Sequence, residues 1–65
     1  MRLGDLRIGR KFSVLREDGS ISPVTYEVAK RGMYNVWALR VSGTPSKGLL
    51  KFDANTDIHV EVSDD

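Results

Sequence analysis

The sequence predicts an all-β fold, a small barrel or two orthogonally packed sheets made from five antiparallel strands, and three observations lead there. Apolar residues recur at a spacing of two, and the three-and-four spacing of a helix face is nearly absent. The alternating runs are short, and Gly, Pro, Asn or Asp separates each from the next. The chain has 65 residues, which is one domain's worth and no more.

Along the chain, Leu3, Leu6 and Ile8 open an irregular start that Gly9 closes. Arg10 to Arg16, with Phe12, Val14 and Leu15, reads as the first strand. Glu17-Asp18-Gly19-Ser20 follows, and Asp-Gly is a strong hairpin signal because it tolerates positive φ. Pro23 cannot donate to a ladder and belongs at a strand entrance or edge. Val24, Tyr26 and Val28 then alternate with Thr25, Glu27 and Ala29 as a half-buried second strand, and Lys30-Arg31-Gly32 turns the chain. Met33 to Val41 is the longest apolar run and the expected central strand. Gly43 to Gly48 is a loop, Leu49 to Phe52 a short strand, Asp53 to Asp57 a tight turn, and Ile58 to Val62 the last strand. The inward set is then Leu6, Ile8, Phe12, Val14, Tyr26, Val28, Val36, Ala38, Leu50, Phe52, Ile58, Val60 and Val62.

Composition narrows the function classes. A chain this short buries only about 60% of its unfolded surface and usually needs a staple or a second copy. There is no cysteine, so disulfides and thiolate metal sites are excluded and self-association gains weight. No apolar run approaches the roughly 18 residues of a membrane span, and the N-terminus lacks a secretory signal. The expected setting is the cytoplasm, with no membrane partner. Charge is uneven along the chain. Residues 1–51 carry ten basic side chains against Asp5, Glu17, Asp18 and Glu27, a net +6, whereas residues 52–65 carry five acids and no Lys or Arg. Basic and acidic neighbours that neutralise one another in the fold account for this, since the overall +1 is far from a dedicated nucleic-acid binder's basic stripe.

The run Leu6-Arg7-Ile8-Gly9-Arg10-Lys11-Phe12, then Tyr26-Glu27-Val28, Leu50-Lys51-Phe52-Asp53 and Asp57-Ile58-His59-Val60, resembles the small SH3-like barrel accessory proteins of phages and bacteria. In those, a Gly-containing turn leads into a first strand with an aromatic residue, and a Phe-Asp turn precedes the last strand. The resemblance implies a five-stranded SH3-like barrel and a phage or mobile-element setting, and it carries no mechanism.

The candidate sites of chemistry fall away one by one. Asp53-x-Asn55-x-Asp57 opens like a calcium loop, but Ile58 stands where the sharp turn needs Gly, and Asp64 where a bidentate Glu is needed; an Asx turn is the expectation. Gly43 to Gly48 has phosphate-loop spacing, yet Leu49 and Leu50 replace the required Lys and Ser/Thr. His59 is the only histidine and is expected on a solvated edge. With no nucleophile motif and no rigid carboxylate pair, no enzyme activity, cofactor or metal is expected.

The strand from Met33 to Val41 is the informative segment. Alternation offers two choices, and the small Val36 and Ala38 suit the interior of a tiny barrel, which leaves Met33, Trp37, Leu39 and Val41 on the other face. Either the barrel covers that face itself, or it meets a partner or a second copy with Trp37 and Met33 as anchors. The candidate binding residues are Met33, Tyr34, Trp37, Leu39, Arg31 and Arg40. The leading expectation is a non-enzymatic interaction module, an accessory protein that binds and modulates a host protein and self-associates as a homo-oligomer through this strand. The alternative is a nucleic-acid or nucleotide binder, an oligomer that sequesters a small phosphorylated ligand, in which Arg7, Arg10, Lys11, Arg16, Lys30, Arg31 and Arg40 form a basic surface beside Tyr34 and Trp37.

Overall fold

The computed structural model describes residues 1–44 and 47–60. Five strands follow a 3₁₀ turn at Leu3–Asp5: β1 Lys11–Val14, β2 Tyr26–Arg31, β3 Asn35–Arg40, β4 Leu50–Asp53 and β5 Ile58–His59. They form one antiparallel sheet in the order β4-β3-β2-β1-β5. The all-β expectation holds, and no helix among the described residues is long and apolar enough to cross a membrane. The sheet is nonetheless open. Among the described residues no ladder joins β4 to β5, so the ladders present make an open five-stranded sheet.

The open sheet is strongly coiled. Strands three positions apart in a flat sheet lie about 14 Å from each other. The rings of Phe12 on β1 and Phe52 on β4 are that far apart in strand order, yet their centroids are 5.7 Å apart and meet edge to face. Tyr26 completes the cluster, 5.5 Å from Phe12 and 5.0 Å from Phe52. The three rings therefore hold the two ends of the β1–β4 meander over one another. Such contacts add about 0.5–1.5 kcal/mol per pair beyond their burial.

Local sequence sets each turn. In the β1–β2 connection, Gly19 N–H donates to the Arg16 carbonyl at 2.9 Å and Arg16 N–H to the Ser20 carbonyl at 2.8 Å. Gly19 has φ +86° and no other residue type has positive φ among the described residues. The turn is thus the three-residue form, a tight turn closed by a left-handed glycine, and Asp18 keeps an ordinary backbone. The Asp18 carboxylate accepts from Ser20 N–H at 2.9 Å and from the Ser20 hydroxyl at 2.6 Å. Those two bonds hold its pKa below the ordinary carboxylate value. The Asp53 turn is the expected Asx turn: the Asp53 carboxylate accepts from Asn55 N–H at 2.8 Å, and Thr56 N–H donates to the Asp53 carbonyl at 3.0 Å.

The core is Leu3, Leu6, Phe12, Val28, Val36, Ala38 and Ile58, with Val14, Tyr26, Phe52, Ala54 and Val60 packed against it. Val36 and Ala38 are fully buried, so the register of the central strand is the one expected. Four expectations need correction. Ile8 is 62% exposed, because it sits in a turn closed by Arg10 N–H on the Arg7 carbonyl at 3.2 Å and never enters the sheet. Leu50 is 38% exposed, because it starts β4, beyond which no strand pairs among the described residues. Leu3, absent from the expected inward set, is fully buried: the 3₁₀ turn lays it across the coiled sheet. Lastly, β2 runs on through Lys30 and Arg31, and the turn is Gly32-Met33-Tyr34, so β3 begins at Asn35. Of the last strand, Ile58–His59 is paired with β1; Val62 lies outside the described residues.

Candidate functional site

Pleating decides the outer face of the sheet. With Val36 and Ala38 inside, Trp37 and Leu39 stand outside, and the register places Lys30 and Lys51 on either side of Trp37 and Glu27 beside Leu39. Lys30 reaches this row only through a bulge between Val28 and Lys30, where one extra residue is inserted and the side-chain alternation is reset. Its ammonium lies 5.1 Å from the centre of the Trp37 ring, a cation–π contact worth about 0.5–1 kcal/mol at an exposed site. Gly32 supports the same ring: a Cβ there would lie 2.9 Å from Trp37 Cζ3, so only glycine admits the indole. These contacts leave Trp37 half-buried and Leu39 likewise.

Gly32 leads straight into the β2–β3 turn, and there the apolar surface comes into the open. Met33 is 84% exposed and Tyr34 75%. The backbone beneath them is nevertheless fixed. Gly32 N–H donates to the Asn35 carbonyl at 2.8 Å, and the Tyr34 carbonyl accepts from Ala54 N–H at 2.9 Å. Two large side chains thus project from a pinned tip, with no rigid cover over them.

Of the six candidate residues, the structure brings four into one continuous region: Met33 and Tyr34 on the tip, Trp37 and Leu39 on the outer face behind it. The two arginines lie elsewhere. Arg31 pairs with Val36 and Arg40 with Tyr26, positions of the inner pleat. The Arg31 guanidinium donates to the Gly4 carbonyl, and Arg40 Nε donates to the Ser42 carbonyl at 3.1 Å. Both tie down the backbone. The cations beside Trp37 are lysines, Lys30 and Lys51; Lys30 was expected only as one of a wider basic surface and Lys51 not at all, because the bulge and the β3–β4 register are invisible in the sequence.

The remaining basic residues are spread around the molecule. Lys11 stands opposite Glu27. Arg7 and Arg10 line a shallow depression of about 300 Å³ with Met1, Asp5 and Leu6. His59 is half-buried opposite Ser13. Among the described residues no three His, Asp or Glu side chains gather where they could hold a metal ion. The chemistry this arrangement offers is contact: apolar burial at the tip, an aromatic ring, and flanking ammonium groups. Comparison of the chain with family models, curated proteins and solved structures finds no match, so the site stands on its own geometry.

Proposed function

We propose that this protein is a non-enzymatic interaction module whose sheet coils into a five-stranded SH3-like barrel, and that it binds a protein partner through the β2–β3 tip. The observation that carries the reading is the exposure of Met33 and Tyr34 on a backbone held by two hydrogen bonds. A pre-ordered tip loses little conformational entropy on binding, and aromatic and methionine side chains are enriched at the centres of interfaces. Trp37 and Leu39 extend the same surface. The coiling brought about by Phe12, Tyr26 and Phe52 supports the barrel, and the residue pattern shared with phage and bacterial accessory proteins supports a cytoplasmic host protein as the partner.

The test is affinity capture from a host lysate with the wild-type chain and with Met33→Ser/Tyr34→Ser. A partner retained at about 0.5 M salt, where exposed charge pairs are largely screened, and lost with the double variant is the expected result. Capture that is indifferent to both substitutions overturns the reading.

One observation favours a second reading. The row Lys30–Trp37–Lys51 sets an aromatic ring between two ammonium groups, the pairing that single-stranded nucleic acid or a nucleotide uses for base stacking and phosphate contact. Binding of that kind falls steeply with salt and depends on Lys51 and Trp37 while sparing Met33. Fluorescence titration of Trp37 with an oligonucleotide at low and high salt separates the two readings.

A further inference from the structure

The two ends of the sheet differ in what covers them. Beyond β5 lies the N-terminal segment. Ile58 N–H donates to the Met1 carbonyl at 2.8 Å and Leu3 N–H to the Thr56 carbonyl at 2.9 Å, while Arg2 bridges Asp57. Beyond β4 no strand pairs among the described residues. The alternation along β4 follows from one bond. Ala54 N–H donates to the Tyr34 carbonyl at 2.9 Å, so Phe52 and Leu50, at the same parity, turn their backbone groups toward β3. Lys51 and Asp53 therefore turn theirs outward. Neither backbone N–H has a partner among the described residues. Leu50–Asp53 contains no proline and no bulge against β3; its protections against edge pairing are its length of four residues and the charge of Lys51, a charge that an opposite partner neutralises, and Leu49 and Leu50 are 49% and 38% exposed.

We propose that the β4 edge pairs with β4 of a second copy, antiparallel and centred on Phe52, which joins two five-stranded sheets into one continuous sheet. The occupant is argued from self-complementarity. Centred on Phe52, the two-fold sets Lys51 opposite Asp53 of the other copy, and the outward N–H and carbonyl groups of the two residues meet. The symmetric equivalent repeats this, so two opposite-charge pairs and four backbone hydrogen bonds form together. The Asp53 carbonyl, already bonded to Thr56, keeps a second lone pair for its share. Moving the centre to Lys51 places like charges directly opposite, which is unfavourable. Moving it to Leu50 pairs Lys51 with Leu49 and leaves Asp53 beyond the strand. The charge pattern thus selects one register. This proposal does not depend on the tip binding a partner, because it uses a different edge and different residues. It places self-association on the β4 edge, whereas the expectation from the sequence uses the outer face of the central strand.

Sedimentation equilibrium on the full chain tests it, with Lys51→Asp, Asp53→Lys, the double exchange, and Lys51→Pro. Wild type is expected to dimerise below about 100 μM, a modest affinity suited to so short an edge. Each single reversal faces like charges twice and is expected to weaken the dimer at least about tenfold, and the double exchange to restore it to within about threefold. Lys51→Pro removes an outward N–H that β3 does not use and is expected to give a folded monomer by circular dichroism; if it fails to fold, the charge exchange decides alone. A wild-type chain that stays monomeric at about 100 μM, or a dimer that tolerates both single reversals, overturns the proposal.

Discussion

The β1–β2 and β2–β3 turns do the same geometric work with opposite chemistry. Both reverse the chain between neighbouring antiparallel strands and both rest on short backbone bonds, Gly19 to Arg16 at 2.9 Å in one and Gly32 to Asn35 at 2.8 Å in the other. The first is composed of Glu17, Asp18 and Gly19, and a carboxylate that accepts twice from Ser20 stabilises it from within. The second presents Met33 and Tyr34, which contribute nothing to closing the turn and remain 84% and 75% exposed. A turn needs only the backbone conformation that the first one shows. The apolar pair on the second is surplus to folding, and that surplus is the strongest pointer to function in the molecule.

The comparison can be broken at the glycines. Gly32→Ala places a Cβ 2.9 Å from Trp37 Cζ3 and 3.3 Å from the Asn35 carbonyl, so the indole must shift. The expected cost is about 1–3 kcal/mol, the range for overpacking a contact, with a change in tryptophan emission on folding. An unchanged spectrum and unchanged denaturation midpoint would show that the ring does not rest on the turn. Gly19→Ala meets open space but forces φ +86° on an L side chain, for about 1–2 kcal/mol, and should leave the tryptophan emission as it is. Chemical denaturation of the pair therefore distinguishes a steric defect from a conformational one.

Smaller effects sharpen the contrast. Met33→Ser/Tyr34→Ser should alter stability by no more than about 0.5 kcal/mol, as exposed substitutions do, even where it abolishes capture. A larger loss in the denaturation midpoint would mean the tip belongs to the core. Asp18 gives the smallest effect. Its folded pKa is depressed by the Ser20 bonds, so the stabilisation is present above the unfolded value and disappears as pH falls through the folded one. The slope of stability against pH in that acid window should flatten in Asp18→Asn. An NMR titration of the Asp18 carboxyl that ends at or above the ordinary value would remove the cause.

The sequence was legible where side-chain volume and local turn chemistry decide the outcome. Val36 and Ala38 were placed inside on size alone, and the Asp18-Gly19 and Asp53-Asn55 turns follow from carboxylates that bond their own backbone. It was illegible where long-range register decides. The bulge that brings Lys30 to Trp37 has no composition signal, since Ala29 and Lys30 fit a plain strand equally well. Lys51 comes to stand opposite Trp37 through pairing between β3 and β4, strands separated by nine residues. Arg31 and Arg40 were expected among the binding residues, and both instead hold backbone carbonyls, those of Gly4 and Ser42. Leu3 was missed because its burial depends on where a 3₁₀ turn crosses the finished sheet.

That N-terminal turn has a kinetic consequence. Leu3 is fully buried, Gly4 N–H donates to the Ala54 carbonyl at 2.8 Å, and Ile58 N–H reaches back to the Met1 carbonyl. Met1, Leu3 and Gly4 thus bond backbone groups fifty or more positions further along the chain. Such distant pairings must close a long loop before they return any energy, which slows folding relative to sheets built from hairpins alone. The 3₁₀ turn therefore gains its backbone bonds to Ala54, Thr56 and Ile58 only once that segment is in place.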